Sequence, residues 1–225
     1  MKLKTPKEIT SDLAEETGIH IGDGSMNFYK NKRKIKGVYQ LRGHINDDRN
    51  HYKTRVKELY KKLYDFEPSM RIMKSTGVYG FQVWSDDLIN FKNKTIKLPL
   101  GKKGEIKIPK QFYKKEEFLI AVLRGIFDTD GCLYLQQRRK KSEVLYPKMM
   151  FTTTSKMLAK QIEKIFGYFK IKVTKYNYKR KEKNWRDLNT VCIYGNKQVQ
   201  KAFNLIQPTN QKHIKKFKLY KEKSL

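Results

Sequence analysis

A helical stretch that ends in Asp-Gly places the tightest constraint on this chain, because it occurs twice. The second copy, Leu119 to Gly131, reads LIAVLRGIFDTDG, and its apolar residues recur at the spacing of a helix face. Gly125 within it costs about 1 kcal/mol, and the usual compensation is close approach of another backbone. Acids at the C-terminal end oppose the helix dipole, and a divalent cation bound there by a carboxylate and the last carbonyls would remove that penalty.

The upstream copy of this stretch keeps the glycines and one acid. Laying residues 125–131 over residues 18–24 matches both glycines and the final Asp, so Asp23 and Asp130 lie 130 − 23 = 107 residues apart. Asp128 has an isoleucine as its counterpart, so chemistry shared by both copies must depend on Asp23 and Asp130. Each copy is followed by alternating apolar and polar residues, which predicts a helix, a turn and a half-buried strand used twice.

These paired stretches resemble the LAGLIDADG motif of homing endonucleases, in the form that carries two motifs on one chain. The first copy departs from the family's lettering at its start, where Glu16 and Thr17 stand for Leu and Ala. The resemblance implies an α+β fold with two pseudo-symmetric αββαββα halves, each a four-stranded antiparallel sheet. The two sheets would form a DNA-binding saddle around two packed motif helices.

Hydrophobic periodicity predicts the same order of elements in each half. In the first half it predicts strands at 25–30, 37–45, 69–75 and 78–85 and helices at 49–64 and 86–91. In the second half it predicts strands at 132–138, 147–154, 171–178 and 189–194, helices at 155–167 and 197–206, and a basic helix after Pro208. Such sheets would bury one face under helices and leave a polar, basic face.

The domain prediction is an N-terminal half at 1–93, a linker at 94–115, and a C-terminal half with a basic tail at 116–225. The segment from 92 to 115 is rich in Lys, Gly and Pro and lacks a helical face. An equally favoured interpretation gives this segment two extra strands, Thr95 to Leu100 and Glu105 to Pro109.

Charge makes a polyanion the expected partner. Lys and Arg total 51 against 22 Asp and Glu in 225 residues, a net charge of +29, and a lysine-rich thermophile surface would normally raise Glu as well. The two cysteines and four histidines show neither a disulfide framework nor metal-ligand spacing. No signal peptide or apolar run of membrane length is found, so a cytoplasmic or otherwise intracellular protein with no membrane partner is expected.

Close packing of the two motif helices through their glycines would bring the paired acids together. Two carboxylates at close range repel unless cations are present, and hard oxygen ligands beside a phosphate favour Mg²⁺, with Ca²⁺ or Mn²⁺ as substitutes in a structure. Two such metals can polarise the phosphate, generate hydroxide and stabilise the departing oxygen. The predicted metal ligands are Asp23, Asp130 and residues Gly22 and Thr129 beside them.

The predicted activity is that of a metal-dependent, site-specific DNA endonuclease, free-standing or intron-encoded, that hydrolyses one phosphodiester on each strand of a duplex with one acid per strand. In the family that the chain resembles, polar or basic residues near the sheet ends order water around the metals. The candidates for that catalytic role are Arg42, His44, Thr153 and Lys197.

Nucleic-acid contacts are expected from the polar sheet faces and the basic hairpin turns. Strand side chains of one parity can read base edges in a major groove, whereas the turns would contact phosphates. The predicted nucleic-acid-binding residues are Asn27, Tyr29, Lys32, Arg33, Lys34, Gln40, Arg42, Gln82, Tyr134, Gln136, Arg138, Arg139, Lys148, Lys172, Lys179 and Arg180. A single chain with both halves is expected to act as a monomer on double-stranded DNA.

Two alternative functions use the same scaffold. One is an RNA maturase, which would bind intron RNA whether or not Asp23 and Asp130 were intact. The other is a DNA-binding protein that does not cleave. Loss of cleavage would be expected to remove one of the acids, and this sequence retains both.

Overall fold

Each half of the chain folds as the sequence predicts, in the order αββαββα. The structure is a computed structural model that describes residues 3–31, 34–137, 145–182 and 185–223. The first half contains α1 (Ser11–Asp23), β1 (Gly24–Asn31), β2 (Lys34–His44), α2 (49–64), β3 (Arg71–Met73), β4 (Val78–Trp84) and α3 (86–95). The second half contains α4 (Glu116–Asp130), β5 (Gly131–Gln137), β6 (Leu145–Thr153), α5 (Lys156–Tyr168), β7 (Thr174–Tyr178), β8 (Leu188–Tyr194), α6 (Asn196–Ile206) and α7 (Gln211–Glu222).

The two sheets have equivalent topologies. Both are antiparallel, with strand orders β1-β2-β4-β3 and β5-β6-β8-β7. The strand that follows each motif pairs in the same register, because Gly24 is opposite Leu41 and Gly131 is opposite Phe151. Leu41 is buried under the helices, whereas its neighbours Gln40 and Arg42 lie half-buried on the other face. The α+β prediction is therefore confirmed, with one covered face and one polar face per sheet.

The motif helices α1 and α4 form the centre of the molecule through the glycine contact that the sequence predicts. A Cβ on Gly18 would overlap the carbonyl oxygen of Val122 and lie 3.0 Å from the Cα of Gly125. A Cβ on Gly125 would in turn overlap the carbonyl oxygen of Glu15. Any side chain at either glycine would separate the helices, and this explains why both copies tolerate glycine inside a helix.

The linker forms neither of the two strands that its sequence allowed. Its alternating apolar residues are buried against the two halves instead: Ile96, Leu98, Ile106 and Ile108. The Gly101 N–H donates to the carbonyl oxygen of Met26 at 2.8 Å in the first half. The Ile108 N–H donates to Oε1 of Gln161 at 2.8 Å in the second half. The segment is therefore a packed connection, and the division at residues 93 and 115 stays a prediction.

Two strands are shorter than predicted, for local reasons. β3 ends at Met73 because Lys74–Thr76 form a 3₁₀ turn before Gly77, which has a φ of 65°. β7 begins only at Thr174, because the Ile171 N–H still bonds the carbonyl oxygen of Phe166 and closes the end of α5. The basic helix expected after Pro208 is confirmed as α7. Among the described residues, no helix is both long and apolar enough to cross a lipid bilayer.

Candidate active site

Asp23 and Asp130 lie side by side where the two motif helices end. A Cβ on Gly22 would lie 2.7 Å from the Cβ of Thr129 and 3.4 Å from the Cγ of Asp130. The pKa of Asp23 is raised to about 7, first by burial and then by the negative charge of Asp130. The Asp130 side chain reaches solvent, yet the atoms packed around its carboxylate raise its pKa as well. The two acids therefore repel each other, as the repeat predicted.

Lys103 of the linker lies beside this pair of acids. Its Nζ donates to the carbonyl oxygen of Ile21 at 2.8 Å and also to that of Gly22, at the C-terminal end of α1. These carbonyls have no partner within the helix, so the ammonium group satisfies them and opposes the helix dipole. Its charge lowers the pKa values of both Asp23 and Asp130.

Lys212 of α7 occupies the equivalent position at the end of the second motif helix. Its Nζ donates to the carbonyl oxygen of Thr129 at 3.1 Å, and Thr129 is the counterpart of Gly22. The same Nζ donates to Oδ1 of the buried Asp48 at 2.8 Å. Each helix end therefore has one acid and one lysine, and an additional acid, Asp48, lies nearby.

Tyr52 of α2 holds the carboxylate of Asp23. Its hydroxyl donates to Oδ2 of Asp23 at 2.8 Å, and the tyrosine is fully buried. Burial and the charge of Asp23 raise the pKa of Tyr52 well above its usual value, so the hydroxyl keeps the proton that it donates.

Asp128 has a structural role, in agreement with its lack of an acidic counterpart. Its carboxylate is buried and accepts hydrogen bonds from the N–H of Thr209 at 2.9 Å and the N–H of Asn210 at 3.1 Å. The Asn210 side chain also donates to Asp48 at 2.7 Å. Asp128 thus anchors the segment before α7 and positions that segment against the first half.

The four candidates for supporting catalysis lie at different distances from the acids. Arg42 follows the residue opposite Gly24 and contacts Gln82 on the polar face, with its Nη2 3.4 Å from Oε1 of Gln82. His44 is exposed at the end of β2, with its Nδ1 3.4 Å from Oδ2 of Asp47. Arg42 is therefore the candidate that the strand register places nearest the end of the first motif helix.

Among the described residues, neither Thr153 nor Lys197 forms a hydrogen bond or ion pair with Asp23 or Asp130. The Thr153 hydroxyl accepts the N–H of Ser155 at 3.1 Å, and this bond satisfies a local turn. Phe151 of β6 is opposite Gly131, and Lys148 of β6 is opposite Tyr194 of β8. Lys148 is three residues, or about 10 Å, from Phe151 along the strand. Lys197 follows Tyr194, at the end of β8 that is remote from Gly131. Lys197 therefore lies at the wrong end of the sheet for the role predicted from sequence.

Most of the predicted base-reading residues lie on the polar sheet faces. Cross-strand registers place eight of them there: Asn27, Tyr29, Gln40, Arg42, Gln82, Tyr134, Gln136 and Lys148. Lys34 is exposed at the start of β2, and Lys179 and Arg180 follow β7, with Arg180 4.7 Å from the ring centre of Trp185. Lys172 is not on a strand, because β7 starts after it and its N–H bonds Gln198. Lys32, Arg33, Arg138 and Arg139 lie outside the described residues.

The sequence reasoning missed Lys103, Lys212, Tyr52 and Asp48. The repeat contained a signal for the two lysines, since the intervals from acid to lysine are similar, 103 − 23 = 80 and 212 − 130 = 82 residues. Nothing in the local pattern separates Tyr52 from the apolar residues of its helix. Asp48 precedes α2, where an aspartate commonly caps a helix, but its side chain accepts the N–H of His44 at 2.8 Å instead.

The oxygen atoms at the helix ends fit a hard divalent cation. The Asp23 and Asp130 side chains lie together there, and hard oxygen donors suit Mg²⁺ or Ca²⁺. The carbonyls of Gly22 and Thr129 lie beside them but accept hydrogen bonds from the ammonium groups of Lys103 and Lys212. Across the part of the chain that the structure describes, no three His, Cys, Asp or Glu side chains group as a metal centre. A cation here would take its remaining ligands from water or from a bound molecule, as Mg²⁺ commonly does.

Comparisons with known proteins agree with this fold. Residues 117–207 match the family described as a LAGLIDADG-like domain. The fold is similar to variants of the homing endonuclease I-DmoI, with a TM-score of 0.61, 12% identity, and coverage of 89% of this chain and 98% of the other. It is also similar to the LAGLIDADG homing endonuclease I-LtrWI bound to its target DNA, with a TM-score of 0.61, 14% identity, and coverage of 94% and 89%.

A further solved structure is the LAGLIDADG meganuclease I-AabMI bound to uncleaved DNA, with a TM-score of 0.58, 12% identity, and coverage of 96% and 93%. No curated protein sequence matches the chain. Identities this low establish a shared fold, and the shared fold covers both halves.

Proposed function

We propose that this chain, which has a LAGLIDADG-like domain at residues 117–207 and the fold of single-chain LAGLIDADG homing endonucleases, is a site-specific endonuclease that cuts both strands of a DNA duplex. The observation that carries the proposal is the convergence of Asp23 and Asp130 at the joined ends of the motif helices. Burial and then the negative charge of Asp130 raise the pKa of Asp23 to about 7, so the pair is suited to share cations. One acid would serve each strand.

Duplex DNA is the proposed partner because of charge and of the two polar sheet faces. The chain carries a net charge of +29, which favours a polyanion. Gln40, Gln82 and Arg42 are linked by hydrogen bonds on the face of the first sheet, and antiparallel strands can present such groups to base edges in a major groove. The related proteins I-LtrWI and I-AabMI were solved bound to DNA.

Mg²⁺ is the proposed cofactor, held by the carboxylates of Asp23 and Asp130; the carbonyls of Gly22 and Thr129 would join as ligands only where Lys103 and Lys212 move off them. I-DmoI was solved in complex with DNA and Ca and with DNA and Mn, and a variant of it was solved with its target DNA in the presence of Mg. A bound divalent ion would polarise the scissile phosphate and lower the pKa of water. The ammonium groups of Lys103 and Lys212 lie beside the acids, where they would oppose the charge of a phosphate held there.

Cleavage of a randomised duplex library with Mg²⁺ tests the proposal. The wild-type chain should cut both strands at selected sites, whereas Asp23→Asn and Asp130→Asn should each cut only one strand and become nickases. We expect cleavage of the other strand to slow by about a hundredfold or more, as for removal of a central electrostatic group. Asp87→Asn is a matched control, because Asp87 is an exposed acid at the start of α3, and it should cut like wild type.

A wild-type chain that cuts no duplex with Mg²⁺ or Mn²⁺ would overturn the endonuclease function. If that chain and both Asn variants also bound intron RNA equally tightly, the function would be that of an RNA maturase. If each single Asn variant lost cleavage of both strands equally, the chain would still be an endonuclease, but the assignment of one acid per strand would be wrong.

A further inference from the structure

We infer that Tyr52 positions Asp23 and makes the two halves of the active site unequal, so that one DNA strand is cut with the help of a buried phenol and the other is not. The inference rests on the proposed endonuclease function. It assigns to Tyr52 a positioning role, since the hydroxyl acts through its hydrogen bond to Asp23.

The contact restricts how the Asp23 carboxylate can turn. The Tyr52 hydroxyl lies 2.8 Å from Oδ2 and donates to it, which leaves Oδ1 for a cation. The phenol is itself immobilised, because the residue is fully buried with Tyr79 at a ring distance of 6.4 Å and His51 at 6.3 Å, both packed edge-on. Asp23 is therefore held in one orientation before substrate binds, which is how preorganisation accelerates a reaction.

The second half lacks this device at the equivalent position. Asp48 precedes α2 and Ser155 precedes α5, and the N–H groups of Tyr52 and Ala159 bond their carbonyls at 2.9 and 3.1 Å. Tyr52 and Ala159 therefore occupy equivalent positions, and an alanine side chain donates no hydrogen bond. Within residues 3–31, 34–137, 145–182 and 185–223, no group donates a hydrogen bond to Asp130, whose side chain is exposed.

The backbone of α2 supports the same assignment. A π-helical turn begins at Tyr52 and continues to Val56, whereas α5 is an α-helix throughout. Such turns are rare, weaken regular helix bonding and occur frequently at functional sites, because the extra residue redirects a side chain. The first half thus keeps an irregular turn at the point where the phenol meets the acid, and the second half does not.

The test uses the two nickases as separate reporters. The Asp130→Asn variant should still cut the strand whose cleavage depends on Asp23, and the Asp23→Asn variant should still cut the strand whose cleavage depends on Asp130. Adding Tyr52→Phe should slow the Asp130→Asn nickase about tenfold, the usual size for a hydrogen bond to a charged group. The same change should leave the Asp23→Asn nickase within about twofold, as expected for sites without shared partners. Single-turnover nicking of a duplex with a different dye on each strand measures both rates.

A matched control separates positioning from folding. Tyr220 is also fully buried, and its hydroxyl accepts a hydrogen bond from Gln200 at 3.0 Å in the second half, so Tyr220→Phe removes a buried hydroxyl that touches neither acid. It should leave both nickases unchanged.

Equal slowing of both nickases by Tyr52→Phe would mean a general structural effect and would overturn the inference, as would no slowing of either. A wild-type chain that cuts neither strand overturns the endonuclease function itself, and the inference with it. These outcomes differ in the wild-type lane, so the two failures are distinguishable.

Discussion

The two motif helices pack through the same glycine contact, but their surroundings differ in chemistry. At equivalent positions, 107 residues apart, α1 has Glu16 and α4 has Leu123, and both residues are fully buried. Leu123 lies in the apolar core. The Glu16 carboxylate accepts two hydrogen bonds from Nζ of the buried Lys92, at 2.6 and 2.7 Å, and further bonds from the hydroxyls of Tyr60 at 2.5 Å and Tyr64 at 3.1 Å.

This difference shows which parts of the motif the fold requires. Glycine at the contact and an acid at the end occur in both helices, while the position two residues before the glycine accepts either an apolar side chain or a fully partnered charge. The charge is tolerated because Lys92 and the two tyrosines replace its lost water. Departures of the first copy from the family's lettering therefore leave the geometry of the acid pair unchanged.

A second difference makes the interface between the halves directional. Glu15 of α1 accepts from Nη1 of Arg124 of α4 at 3.0 Å and from Arg55 at 2.8 Å. The equivalent positions in the opposite sense are Val122 and Thr17, which cannot form an ion pair. The contact therefore favours pairing of unlike halves, which suits two halves on one chain.

The largest expected effect is on stability, and it comes from breaking the buried ion pair beside α1. It compares how much the charged surroundings of α1 and the apolar surroundings of α4 contribute to the free energy of unfolding. Lys92→Met should destabilise the chain by about 3–5 kcal/mol, because it leaves Glu16 buried without its ion partner. Adding Glu16→Leu should recover most of that loss. It would still remove the acceptor of the Tyr64 hydroxyl, at a cost of about 1–3 kcal/mol, whereas the Tyr60 hydroxyl can donate to that of Tyr39 at 2.7 Å. Urea unfolding measures all three chains. A Lys92→Met chain within about 1 kcal/mol of wild type would show that the pair is dispensable.

The next effect tests whether the shared glycine contact is equally tight for both helices. Gly125→Ala and Gly18→Ala should each cost about 1–3 kcal/mol or more, because a Cβ would overlap the backbone of the opposite helix. Gly167 is the matched control, since it lies in α5 and a Cβ there would meet nothing within 4 Å. Gly167→Ala should stabilise the chain by about 0.5–1 kcal/mol, the ordinary helix preference. Similar free energies of unfolding for all three variants would contradict the close approach.

Much of the fold could be predicted because its determinants are local. Alternation after each motif predicted β1 and β5, and the glycines at 18 and 125 predicted the helix contact. The linker defeated the same reasoning. Ile96, Leu98, Ile106 and Ile108 alternate as in a strand, yet their burial comes from contact with both halves and not from strand pairing. Alternation of apolar and polar residues indicates which side of a segment is buried, but it does not indicate which element packs against that side.

The site could be predicted only where the repeat supplied an internal comparison. Asp23 and Asp130 stood out because they are the one pair of acids that occurs in both copies. Tyr52 could not be found, because its bond to Asp23 spans 29 residues and depends on the packing of α2 against α1. Lys197 fails for the opposite reason: its strand-end position suggested it, but the register of β6 and β8 places it at the far end of the sheet. Thr153 lies two residues along β6 from Phe151, which is opposite Gly131, and its role stays a prediction.

The smallest expected effect is the contribution of Asp23 to the pH dependence of the free energy of unfolding. The folded pKa of Asp23 is about 7 against an ordinary value of 3.8, so the folded state holds a proton that the unfolded state releases between these values. The stabilising contribution of that proton is full below about pH 4 and is lost as the pH rises through about 7.

In EDTA, the wild type should therefore lose stability relative to Asp23→Asn between pH 5 and pH 8, by roughly 1 kcal/mol after solvent screening. Urea unfolding of both chains at the two pH values measures the difference, and Mg²⁺ should restore the wild type more than the variant. Parallel behaviour of the two chains would mean that neither burial nor Asp130 raises the pKa of Asp23, which would remove the electrostatic reason for a cation at the helix ends.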